Sequence, residues 1–152
     1  MSGIGLIKRI LVAIDGSEHA DKALDFALDL AEKYSATVTI INVFQVPAIA
    51  YLGEPSEYPI SLIDFTKEAK AAHEKILSKA LKRAKELKPN LKISTTLKEG
   101  RPADKIIETA KEENFDMIVM GHRGLGKVKE FFLGSVSDRV ADGAHCPVLI
   151  VK

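Results

Sequence analysis

Apolar residues along the chain fall into two alternating kinds of run. Short, nearly continuous ones occupy positions 9–15, 37–44, 117–120 and 146–151, the pattern of strands covered on both faces. Between them, apolar residues recur at helical spacing. Ala20, Ala23, Leu24, Ala27, Leu28, Ala31 and Tyr34 form one stripe, preceded by Ser17 as an N-cap and Glu18 in a first turn favoured by the helix dipole. Phe65, Ala69, Ala72, Ile76, Ala80, Ala84 and Leu87 predict one face of a long amphipathic helix over 61–87, stopped by Pro89-Asn90. Positions 91–97 alternate apolar and polar, as a half-exposed strand near a sheet edge would. Gly100-Arg101-Pro102 predicts a turn with Pro102 at the first helical position, and Ile106, Ile107 and Ala110 give the next helix its buried face. Val136, Val140 and Ala144 recur every four residues on a last helix.

Strands that alternate with helices pair in parallel through right-handed crossovers, which leaves helices on both faces of a doubly wound, five-stranded α/β sheet. The 152 residues show no internal repeat or linker, so a single domain over 1–152 is expected. Positions 45–59, with Pro47, Gly53, Pro55, Pro59, Tyr51 and Tyr58, exceed the usual connection. They read as either a functional lid or a mobile loop.

Composition narrows the function. Hydrophobic residues make up 46% and charged residues 28%, with a net charge of +1, so no basic field points to nucleic acid and any anion site must be local. Cys146 is the one cysteine, which suits a reducing cytoplasm. The early apolar run ends at Asp15-Gly16-Ser17, too short for a signal-peptide core or a membrane span. The expectation is a soluble cytoplasmic protein with neither a membrane nor a nucleic acid as partner.

In a doubly wound sheet, ligands bind beyond the carboxyl ends of strands where the strand order reverses. Two strand ends are unusual, Asp15 after the first and Gly121 after the fourth. In the order 3-2-1-4-5 these strands are neighbours and share the switch-point crevice. In the order 2-1-3-4-5 the glycine cluster falls outside it. Periodicity alone does not decide between them, but the placement of the motifs favours 3-2-1-4-5. Gly121, Gly124 and Gly126 let the backbone approach a ligand, and Gly134-Ser135 opens a helix whose free N–H groups make an anion site. Ser135 and Ser137 add hydroxyls, and Arg123, Lys127 and Lys129 add cationic side chains. Glycines that only build turns are the plainer reading, but a strand end, a glycine-rich loop and a serine-bearing helix start coincide here. The segment misses a Walker A loop at Val128, where Ser or Thr would hold magnesium, and the dinucleotide fingerprint is absent after the first strand.

Gly121-x2-Gly124-x9-Gly134-Ser135 resembles the G-2x-G-9x-G-[S/T] motif of ATP-binding universal stress proteins. The segments Ile10-Leu-Val-Ala-Ile-Asp15-Gly-Ser17 and Cys146-Pro-Val-Leu-Ile-Val151 are similar to that family's first and last strands. The resemblance implies a 3-2-1-4-5 sheet, ATP with magnesium in the crevice, and a homodimer paired through the last strand. It also implies that Asp15 faces the nucleoside and that Val43 meets adenine through its backbone. Ala13 and Met120 stand beside them at the strand ends. Gly121, Arg123, Gly124 and Gly126 would line the ribose and phosphates, with Gly134, Ser135, Val136 and Ser137 at the phosphates.

Several residues have simpler roles. Asp15 can also serve as a turn or capping residue beside Gly16. His19, His73, His122 and His145 are scattered without metal-ligand spacing. Cys146 reads as a small buried residue rather than a nucleophile, and Met117 and Met120 as core. A receiver domain is excluded because the third strand ends in Lys98-Glu99-Gly100 instead of an acceptor Asp. The functional expectation is a nucleotide-binding regulatory module with an unknown partner. Glu130 is the only carboxylate beside the phosphate loop, so catalysis would amount at most to a slow ATPase. A dimeric scaffold without nucleotide is the remaining alternative.

Overall fold

The computed structural model describes residues 5–45, 60–122 and 135–152. In chain order these form β1 (Arg9–Ala13), α1 (Glu18–Tyr34), β2 (Thr37–Phe44), α2 (Ile60–Leu87), β3 (Ile93–Glu99), α3 (Pro102–Glu112), β4 (Met117–Gly121), α4 (Ser135–Gly143) and β5 (Val148–Val151). The sheet has five strands in the order β3-β2-β1-β4-β5, all parallel. The expected doubly wound α/β architecture is therefore what the chain adopts.

Strand alternation sorts the core into two layers. Ile10, Val12, Val38, Ile40 and Val119 face α1 and α2, together with Leu24, Leu28, Leu77, Ala80 and Ala84 from those helices. Leu11, Ile41, Ile118 and Met120 face the other way and meet Ala103, Ile106, Ala110, Phe115 and Val140 from the α3 and α4 side. A sheet covered on both faces explains why the central strands read as unbroken apolar runs. Edge strand β3 lacks that cover over much of its length, and its residues stay half-buried or exposed.

The helix signals act as their chemistry requires. The Ser17 hydroxyl accepts a hydrogen bond from the Ala20 N–H at 3.2 Å and starts α1. Pro102 opens α3, where its missing N–H leaves no bond unmade.

Three details differ from the sequence-based expectation. Strand β1 stops at Ala13 and β5 starts at Val148, so Ile14-Asp15 and Cys146-Pro147 are connections. On α2, Phe65, Ala72 and Leu87 are exposed, and the buried line passes through Leu77, Ala80 and Ala84 with His73 and Ile76 beside it. The helix is about 42 Å long against roughly 23 Å for the seven residues of β3, so its ends overhang the core. Cys146 is half-buried rather than buried, and burial with the nearby Asp116 charge pushes its thiol pKa up. Among the described residues, no helix is long and apolar enough to cross a membrane.

Candidate functional site

The strand order puts the exits of β1 and β4 side by side. Ala13 pairs with Met120 across one ladder and with Ile41 across the other. Ile14 continues the second by donating its N–H to the Ile41 carbonyl at 3.0 Å. One step further on, Asp15 leaves β1 next to where Gly121 and His122 leave β4. The His122 N–H reaches the Val151 carbonyl at 2.8 Å, which ties this exit to β5.

Asp15 closes a short turn. Its Oδ1 accepts the Ser17 N–H at 3.0 Å, the side-chain mimic of a backbone turn. Gly16 between them has a φ of +86° and is exposed, a conformation that glycine adopts without a Cβ penalty. The turn role is real, and Asp15 remains half-exposed at the β1 exit.

Ala13, Val43 and Val136 pack against the layer that contains Met120, so these four share the α3 and α4 side of the sheet at its C-terminal end. Helix α4 begins at Ser135, whose side chain is exposed. Ser137, one turn in, is buried, and its hydroxyl donates to the His122 carbonyl at 3.4 Å. Ser137 thereby fastens the helix start beneath the β4 exit. Arg123, Gly124, Gly126 and Gly134 lie outside the described residues, as do Lys127, Lys129, Glu130 and positions 46–59.

Gly121 has a packing reason of its own. A Cβ there would stand 2.8 Å from the carbonyl carbon and oxygen of His19, so the strand exit touches the first turn of α1 directly. The same approach brings together two histidines that are far apart in sequence. The His19 and His122 rings sit edge to face with centroids 6.3 Å apart, and buried His19 Nδ1 has no hydrogen-bond partner among the described residues.

Sequence reasoning also missed Asn42. This amide is 1% exposed on β2, donates to the Ile14 carbonyl at 2.6 Å and accepts from His73 Nδ1 on α2. A signal was present, since an Asn inside the run Ile40-Ile-Asn-Val-Phe44 must find partners if that run is buried. Among the described residues no cluster of three or more His, Cys, Asp or Glu side chains is placed to hold a metal ion.

A parallel sheet with paired strand exits at its reversal point and a helix N-terminus beside them defines a doubly wound α/β protein, the class whose ligands bind at that reversal point. Within that class the chain belongs to the universal stress protein family, whose pattern it matches over residues 6–152. It is 38% identical over 150 residues to the universal stress protein YxiE of Bacillus subtilis, covering 97% of this chain and 100% of that one. The solved structure of the hypothetical protein MJ0577 is similar at a TM-score of 0.73 and 30% identity, over 97% of this chain and 96% of that one. A universal stress protein solved in complex with cAMP is similar at a TM-score of 0.72 and 27% identity, over 95% and 97% of the two chains.

Proposed function

We propose that this chain, as a single domain, is a regulatory module that binds ATP in the crevice between the β1 and β4 exits. The carrying observation is the pairing of Ala13 with Met120. It sets Asp15 beside Gly121 at the switch point, with the nine-residue helix α4 starting nearby at Ser135. That chemistry fits a nucleoside phosphate. A helix N-terminus offers unpaired N–H groups and positive potential to the phosphates, while an acidic residue at a strand exit suits ribose hydroxyls or the adenine amino group. Magnesium is a hard cation that binds substrate phosphates with few protein ligands, so it would arrive on the nucleotide.

In this reading Asp15 meets the nucleoside, the Val43 backbone meets adenine, and Ala13 and Met120 form the apolar floor. Gly121, Arg123, Gly124 and Gly126 follow the ribose and phosphates, and Gly134, Ser135 and Val136 end at the phosphates. Ser137 acts by holding the helix start. The cAMP complex of the 27% identical relative supports an adenine nucleotide as the ligand class.

Occupancy would alter a partner surface, and the protein would act as a cytoplasmic homodimer. Strand β5 is an edge of the sheet, and Val148, Leu149 and Ile150 are only half-buried. Its free edge invites a second copy through two-fold strand pairing.

The test is ATP titration by calorimetry and thermal melting. At a hundred times the dissociation constant, bound ATP adds about 2.7 kcal/mol of stability. Gly134→Val is expected to abolish binding, with Gly53→Ala as the control. No heat and no melting shift with millimolar ATP would end the nucleotide reading.

A further inference from the structure

The turn that carries Asp15 is held from outside the crevice, by α2. Asn42 is the polar exception in β2, and it points into the layer between the sheet and α2. Its Nδ2 donates to the Ile14 carbonyl at 2.6 Å. The amide nitrogen is thus committed to a carbonyl, so the amide oxygen faces the imidazole, and His73 Nδ1 carries the proton it accepts. A neutral ring and a protonated one both supply that donor. The His73 ring also packs on Phe44 of the same strand, with centroids 6.1 Å apart.

The same helix also borders the turn at Gly16. Gly16, with φ +86°, lies against Ile76 of α2, and a Cβ at Gly16 would come within 3.3 Å of Ile76 Cδ1. His73 and Ile76 are three residues apart and share one helix face. Helix α2 therefore holds the turn at Ile14 through the amide relay, and Ile76 leaves little room for a side chain at Gly16 on the other side of Asp15. An apolar side chain at position 42 would fill the space but take this partner from the carbonyl of buried Ile14 and from the N–H of half-buried His73.

We infer that Asn42 and His73 are positioning residues that hold the Ile14 carbonyl, so that Asp15 is presented at the crevice, and that α2 senses its occupancy. The sensing half rests on the nucleotide reading above. The positioning half stands on the contacts of Asn42 and His73 alone.

The experiment has two arms on the full chain. In the first, hydrogen exchange is followed at the Ser17 amide, which Asp15 accepts, without nucleotide. Asn42→Leu and His73→Leu are compared with wild type and with Ile41→Val, a core cavity on the opposite face of β2. Both leucine variants are expected to speed Ser17 exchange about tenfold, equivalent to roughly 1.4 kcal/mol of lost local protection. Ile41→Val leaves it at the wild-type rate once global stability is matched. His73→Asn, whose side-chain nitrogen replaces Nδ1, restores protection.

In the second arm, ATP is titrated into the same proteins. Its dissociation constant is expected to rise about tenfold in the leucine variants, and ATP slows exchange at residues 73–77 of the wild type. Unchanged Ser17 exchange in both leucine variants overturns the inference whether or not ATP binds. Faster Ser17 exchange in a protein that does not bind ATP upholds the positioning role and removes the nucleotide reading alone. Tight ATP binding by wild type with no change at residues 73–77 overturns the sensing role. If Asn42→Leu does not fold, the two His73 variants carry both arms.

Discussion

Replacing Gly121 by alanine tests whether the β4 exit is a packing junction in its own right. The added methyl would stand 2.8 Å from the His19 carbonyl carbon and oxygen and 2.9 Å from its Cβ. Carbon contacts are comfortable at about 3.5–4.0 Å, so the overlap approaches an ångström. The obstructing atoms are backbone in the first turn of α1, which cannot rotate aside. Either α1 lifts from β4 or the strand exit sinks, and overpacking of this kind costs about 1–3 kcal/mol. For a chain of this size each kcal/mol moves Tm by roughly 2–4 °C. A fall of about 4–8 °C is therefore expected for a mid-range cost of about 2 kcal/mol. Gly143→Ala is the control. Its methyl meets Ile107 Cδ1 at 2.9 Å, the tip of a side chain that can turn away, and alanine recovers up to about 1 kcal/mol of helix propensity. Calorimetric melting of both proteins without nucleotide separates packing from any ligand role. A Gly121→Ala protein melting within about 1 °C of wild type would show that the approach to His19 is not a constraint.

Three further outcomes are expected. Ser17→Ala loses the cap to the Ala20 N–H, so stability in urea falls by about 1 kcal/mol with the slope unchanged; an unmoved midpoint would refute the cap. In β5 the carbonyls of Pro147 and Val151 point to β4, and by strand alternation Val148 and Ile150 direct their backbone groups outward. Ile150→Pro thus removes an outward donor without touching the β4 ladder and shifts the protein to monomer in sedimentation equilibrium, whereas a wild-type monomer at high concentration would rule out the dimer. Burial and then Asp116 raise the Cys146 pKa, so folding favours the neutral thiol. That stabilisation is full below the unfolded thiol pKa and is lost as pH rises through the folded one. Alkylation at about pH 8 is accordingly slower in the folded chain than after denaturation, and equal rates would contradict the burial.

Much of this protein was legible in its residue pattern because each signal is local. Apolar runs at 9–15, 37–44 and 117–120 mark the central strands, to within two residues, since both faces of a parallel sheet are covered. Ser17 and Pro102 mark helix starts through chemistry confined to one turn. The spaced glycines pointed to the family, and the order 3-2-1-4-5 was favoured by two odd strand ends that would share a crevice and implied by the family resemblance.

Tertiary structure decided what depends on two distant segments meeting. Helical spacing put Phe65, Ala72 and Leu87 on the apolar face of α2, but the limited length of the sheet leaves the turns of Phe65 and Leu87 without cover, and only the packing shows that mid-helix Ala72 turns to solvent beside His73. Gly121 looked like a residue spared for a ligand, and the His19 backbone at 2.8 Å gives it a packing duty that no local pattern carries. His19 and His122 are adjacent only because α1 lies over β4. The relay from Ile14 through Asn42 to His73 joins three elements. A hydrogen bond has no sequence period, so a buried Asn announces in the sequence only that it needs partners, and the fold alone chooses them.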